Sequence, residues 1–219
     1  MTVSACWKSR TSPRAAAARF SPSAALETLR LVARDRVLLR YALCGMAYAA
    51  SQMAITAYLV VYLWGEIGLA VDVAGLIFSV LHGAGIAARV LLGAVAGRWV
   101  SSRALLVLLG LVMACGTTGL AFSEASWPVP VFVLLAVVTG VGGNGWVGLF
   151  FSEMARRAPP GRTAEAAGGA QFYLYTGIVA GPLLAGTLVT TVGYAMTFAA
   201  FAAITVSASV ALHRLSTAE

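Results

Sequence analysis

Long apolar runs separated by short polar breaks fill the chain after position 36: Val37 to Trp64, Val73 to Val95, Ala104 to Phe122, Val129 to Phe151, Ala166 to Thr190 and Tyr194 to Leu212. At about 1.5 Å of rise per residue, each can cross a hydrocarbon layer of roughly 30 Å as a helix. The clearest case begins at Val73, where a run of about 36 Å holds only His82 and Arg89 as titratable groups. It breaks at Gly97, Arg98, Ser101, Ser102 and Arg103, too short a link for a domain, and resumes at Ala104. The pattern predicts an all-α integral membrane protein, with six transmembrane helices in one domain over 37–214 and a short tail at 215–219.

The opening 1–36 is different material, rich in Ala, Ser and Arg, with Pro13 and Pro22 and no acid before Glu27. Lys8, Arg10, Arg14 and Arg19 precede only a short alanine run, which is no signal-peptide core. The segment reads as a basic cytoplasmic tail, although an organellar transit peptide has the same composition. From Ser23, Leu26, Leu29 and Val32 alternate with Glu27, Arg30, Arg34, Asp35 and Arg36, which predicts a short amphipathic helix on the membrane surface.

Composition agrees with the pattern. Of 219 residues, 60% are hydrophobic and 11% charged, against about 25% charged in soluble domains. The net charge of +7 raises the question of nucleic acid, but its distribution answers it. Basic residues sit from Lys8 to Arg40, at Arg89 to Arg103, at Arg156, Arg157 and Arg162, and at Arg214; the alternate loops near Gly68, Ser123 and Gly193 have none. By the positive-inside rule this is a multi-pass protein of the cell membrane with both termini cytoplasmic, and the lipid bilayer, not nucleic acid, is its partner. Cys6, Cys44 and Cys115 show no metal-ligand spacing and read as buried free thiols; no metal or cofactor is expected.

Three motifs stand on this frame. Arg89, Gly93 and Gly97 recur every four residues, followed by Arg98 and Arg103, so small residues and cations share one face at the membrane edge. An acidic-then-basic loop, FFSEMARRAPPGRTAEAAG, carries Glu153, Pro160, Gly161, Arg162, Ala166 and Gly168. Gly177, Gly181, Pro182 and Gly186 form a GxxxGPxxxG run, in which the glycines make a flat packing face and the proline removes one backbone hydrogen bond. Together these residues resemble the C-terminal six-helix half of the major facilitator superfamily (MFS), a 3+3 helix repeat. Gly97 stands where that family usually places an acid, so Glu153 becomes the expected partner of Arg98 or Arg89.

The resemblance implies a transporter of two six-helix halves. Its first and fourth helices would line a central cavity, the second and fifth would pack their glycine faces against the other half, and the third and sixth would face lipid. It also implies a gating role for Arg89, Gly93, Gly97, Arg98, Arg103 and Glu153, and helix packing for Gly177, Gly181, Pro182 and Gly186. A single half would pair with itself as a homodimer or with a complementary half, or belong to a longer chain.

Polar residues inside hydrocarbon are costly, which makes each inward one a functional candidate. Tyr48, Gln52 and Thr56 form an i, i+4 stripe in the first run; Asn144 lies between Gly140 and Gly148 in the fourth; Gln171 and Tyr175 lie in the fifth. His82 is near mid-depth and able to exchange a proton. These seven are the candidate substrate pathway, and helix-to-helix bonding is the competing role for Gln52 and Asn144. No GxxxxGK[ST] run is present, so the sequence points to secondary active transport of a small solute, an organic anion or a drug-like molecule. Two other classes compete: a non-transporting scaffold or decayed transporter fragment, and an intramembrane hydrolase. The hydrolase would need a serine with a histidine base, and only His82 lies within a span, with no GxSxG run; an enzyme is not expected.

Overall fold

The computed structural model describes residues 22–96 and 100–214. Gly97 and Arg98, the leader before Pro22 with Cys6, and the tail at 215–219 lie outside the described residues. The chain forms α1 (Pro22–Arg34), α2 (Arg36–Gly65), α3 (Val71–Val95), α4 (Ser102–Ala121), α5 (Val129–Gly145), α6 (Val147–Arg157) and α7 (Thr163–Arg214). Short polar residues start the spans. Asp35 Oδ1 accepts from the backbone N–H groups of Val37 (2.8 Å) and Leu38 (3.0 Å), which fixes the corner between α1 and α2. Ser101 Oγ caps α4 through the Ala104 N–H at 3.2 Å.

The six expected crossings are present, although the helix ladder groups them differently. The fourth crossing is α5 and α6 in series, interrupted at Trp146. The fifth and sixth form one 52-residue stretch, α7, broken at Gly193, whose φ of 80° and ψ of 173° no side-chain-bearing residue adopts easily. Its arms, 163–192 and 194–214, fold back on each other around that one glycine.

Packing follows the small residues. Gly177 and Gly181 face the carbonyl oxygens of Met46 and Ala50, so α2 and the first arm of α7 meet backbone to backbone. Gly140 lies on the Leu81 carbonyl of α3, and Gly142 lies against the backbone of Leu109 and Met113 of α4. The fourth crossing is thereby wedged between the second and third. This corrects the expected layout: the Gly177–Gly181 face packs inside this half rather than against another. The outward surface of the same arm is Phe172, Tyr175, Val179 and Leu183. The third crossing also differs from a helix given over to lipid, since α4 buries half of its residues; its exposed positions include Leu108, Leu111 and Cys115, which is therefore not the buried thiol expected, whereas Cys44 is.

A buried polar seam ties α2 to the second arm of α7. Cys44 Sγ donates to the Ala208 carbonyl (3.4 Å), Tyr48 Oη bonds Ser209 Oγ (2.7 Å), and Ser51 Oγ donates to the Phe201 carbonyl (3.3 Å) while accepting from Thr205 Oγ1 (2.9 Å). The spacing 44, 48, 51 keeps these groups on one face. Two apolar clusters flank the seam, one around Tyr41, Trp146, Phe150 and Leu212 and the other around Ile55, Leu63, Phe132 and Phe198.

Candidate functional site

The interruption at Trp146 places the site. Where α5 gives way to α6, the Asn144 carbonyl accepts from Arg89 Nε (3.2 Å) and Nη2 (3.0 Å) of α3. The Asn144 side chain turns the other way, and its Oδ1 accepts from Gln52 Nε2 of α2 at 2.8 Å. Gln52 Oε1 in turn accepts from Trp146 Nε1 at 3.2 Å. Three crossings therefore converge on one residue, as only a backbone and a side chain used together allow. Gly85 makes room for it, because a Cβ there would collide with the Asn144 side chain.

Not all of this group is satisfied. Asn144 Nδ2 and Thr139 Oγ1 have no hydrogen-bond partner, and their residues are 8% and 2% exposed. Both line a small void with Gln52, Ile55, Thr56, Leu81, Met113 and Gly143. Its volume of about 10 Å³ is at the lower limit for one water. No solute fits in this arrangement; what the site holds is an unmet amide donor and an unmet hydroxyl in the membrane interior, where such groups are expensive.

The sequence-derived candidates separate into four sets. Gln52, Thr56, Asn144 and Arg89 come together here. Tyr48 leaves the stripe it shares with Gln52 and Thr56: its hydroxyl turns to Ser209 and the Leu106 carbonyl, and its ring meets Trp146 edge-on at 5.5 Å. His82 packs edge-on against Phe78 at 4.5 Å, one helix turn along α3. Gln171 is half-buried and Tyr175 exposed on the first arm of α7. Trp146 and Thr139 are additions that the sequence reading missed. The Trp beside the GGNG run was the available signal, since a buried indole N–H needs an acceptor.

At the basic end, Arg89 and Gly93 share a recess with Ser102, Gly148 and Ser152. Arg103 donates to the Leu212 carbonyl (3.3 Å), joining the α3–α4 hairpin to the last crossing. The expected Glu153–Arg89 pair does not form. Glu153, 3% exposed, accepts instead from Arg156 (3.0 Å) and Arg157 on its own helix, and the Arg157 guanidinium lies 4.4 Å over the Tyr41 ring. An acid with cations three and four residues on is satisfied locally before it can reach another helix. Arg162 bonds Glu165, which pushes its guanidinium above its ordinary pKa, and also reaches Glu27 of α1. The helix runs through Pro182, and Gly186 faces the Tyr58 hydroxyl.

A bundle of six crossings with one basic end and a polar knot inside defines a multi-pass membrane protein. The chain belongs to the Major Facilitator Superfamily, whose family model matches residues 2–179. Two solved structures share the fold. One is a peptide transporter, POT, in complex with alafosfalin (TM-score 0.74, 17% identity, 87% of this chain and 41% of that one). The other is the POT family transporter PepTSo (TM-score 0.70, 18% identity, 81% and 37%). The chain thus spans about two fifths of the length of these structures. No curated protein matches it. The family is one of membrane transporters, not enzymes.

Proposed function

We infer that this chain is a C-terminal-type half of a secondary active transporter for a small solute, with an organic anion favoured over an uncharged drug-like molecule. The observation that carries the reading is the Asn144 knot: an unpaired amide donor inside the bundle, on the same residue whose backbone carbonyl holds the exposed Arg89. A carboxylate presented from the open side of the bundle would find hydrogen-bond donors and a cation together. The complementary surface is the outward face of α3 (Leu76, Ile86, Val90) with Phe172, Tyr175, Val179 and Leu183 of α7. A second six-helix unit or a second copy covers it in this reading, and alternating access is the rocking of the two units about the knot.

Uptake into proteoliposomes tests this, using the full chain alone and co-reconstituted with a six-helix N-terminal-type half and a panel of radiolabelled monocarboxylates. Asn144→Leu removes the amide but keeps the backbone carbonyl that anchors Arg89. It is expected to lower uptake about tenfold, the factor that corresponds to one lost hydrogen bond to a charged group. Uptake that is absent in every combination would instead favour the non-transporting scaffold.

The same reading puts the basic end, both termini included, on the cytoplasmic side of the cell membrane. Reporter fusions at Gly68 and at Arg157 are expected to report opposite compartments, and the orientation fails if they agree.

A further inference from the structure

The hydrogen bonds around Asn144 form a chain that runs in one direction. It starts at Trp146, whose indole N–H donates and cannot accept. Trp146 is 1% exposed, and its ring stands edge-on to Tyr48 (5.5 Å) and Phe150 (5.7 Å), which hold the N–H in place. Gln52 therefore turns its oxygen to Trp146, at 3.2 Å, and its Nε2 to Asn144 Oδ1, at 2.8 Å. Asn144 Nδ2, a pure donor, is left as the free end of the chain. It belongs to a residue that is 8% exposed and lines the small void together with Thr56 and Thr139.

A second arrangement of the same side chains exists on paper. Exchanging oxygen and nitrogen in both amides would keep the Gln52–Asn144 bond and make Asn144 Oδ1 the free end, an acceptor in place of a donor. One contact opposes it. Gln52 Nε2 would then meet the Trp146 N–H, donor against donor, in a buried place where an unmet donor is costly. The close approach of Gly85 confines the Asn144 carboxamide, so the exchange is the alternative that matters. We propose that Trp146 is a specificity-determining residue: acting through Gln52, it makes Asn144 offer a donor, so that the site takes an acceptor oxygen, as of a carboxylate or carbonyl, and turns away an ammonium. The link to a substrate rests on the transport reading above; the polarity of the amide chain does not.

Asn144 is the only asparagine in the chain, so labelling the full chain with ¹⁵N-asparagine gives one side-chain amide signal by NMR in detergent micelles. In the wild type its protons are expected to show cross-peaks to the Thr139 and Met113 methyls that line the void. Trp146→Phe removes the donor that sets the direction. Gln52→Met cuts the link to that donor instead, which keeps the question answerable if the first variant folds poorly. Each is expected to split the signal between two orientations. Tyr48→Phe, which disturbs the packing beside Trp146 but leaves its N–H alone, is expected to keep one signal. In the co-reconstituted uptake assay, the ratio of a radiolabelled monocarboxylate to the amine of the same carbon skeleton is expected to fall about tenfold in Trp146→Phe, the factor that one hydrogen bond to a charged group supplies. An unsplit signal in both variants, equal splitting in Tyr48→Phe, or a ratio that stays constant while uptake continues would each overturn the proposal. Split signals with no uptake in any combination support the amide polarity and count against the transport reading instead.

Discussion

Replacing Glu153 with leucine is expected to lower stability by about 3–5 kcal/mol, read as a large drop in the thermal unfolding midpoint of the detergent-solubilised chain. Glu153 is 3% exposed, and its carboxylate takes hydrogen bonds from Arg156 and Arg157. Arg156 is open to solvent and loses little when the acid goes. Arg157 is 10% exposed at its side chain, its Nε already lacks a partner, and its remaining support is the Tyr41 ring. Without the carboxylate a cation is left inside the bundle with only an aromatic face to hold it, and a cation–π contact contributes about 2 kcal/mol when desolvated, less than the loss expected. Glu153→Gln separates charge from shape: it keeps the packing, so a charge-based account predicts nearly the full loss. Glu153→Leu combined with Arg157→Leu is expected to recover most of it, because an apolar pair replaces a buried ionic one at little cost. A loss under about 1 kcal/mol for Glu153→Leu would mean the pair is screened as a surface pair is.

The second large effect belongs to Gly181. A side chain there would run into the Ala50 carbonyl and Cα, and these backbone atoms cannot rotate aside. Gly181→Leu is therefore expected to force α2 away from the first arm of α7 and to cost about 3 kcal/mol, the upper end for overpacking. Gly186→Leu is expected to cost less, since its obstacle is the Tyr58 hydroxyl at the far end of a side chain. Gly168 has nothing within 4 Å of its Cβ position, and Gly168→Ala is expected to be neutral or to stabilise by up to about 1 kcal/mol through helix propensity. Thermal unfolding of the three variants side by side decides the matter: equal tolerance at 181 and 168 would show that the close approach of the two helices is not required.

The crossings were legible in the sequence because a bilayer leaves so few options. A span must be long, apolar and internally hydrogen-bonded, and every run from Val37 to Leu212 announces that. The break at Gly193 was legible for the same reason, as the gap between two runs. Contacts across the bundle were harder. Periodicity gives Gln52 and Asn144 a face each, but the chain separation of 92 positions says nothing about which faces meet. The stripe of Tyr48, Gln52 and Thr56 was read as one surface, whereas α2 is enclosed on several sides and its neighbours divide the stripe: Ser209 takes Tyr48 and Asn144 takes Gln52. The partners of Glu153 are legible in the sequence, as cations three and four residues onward on one helix, whereas a pairing with Arg89 needs a contact between helices that no spacing specifies.

The turn at Gly193 has a mechanical consequence. Because a single residue joins the two arms of α7, no slack exists to let one slide along the membrane normal while the other stays fixed. The hydroxyl seam from Cys44 to Ser51 anchors the later arm to α2, and the glycine contacts anchor the earlier arm to that same helix. These three rods form one braced frame, and flexing inside this unit has to occur outside it, where α3 is tied to the fourth crossing instead, through Arg89 and the Gly140–Leu81 approach.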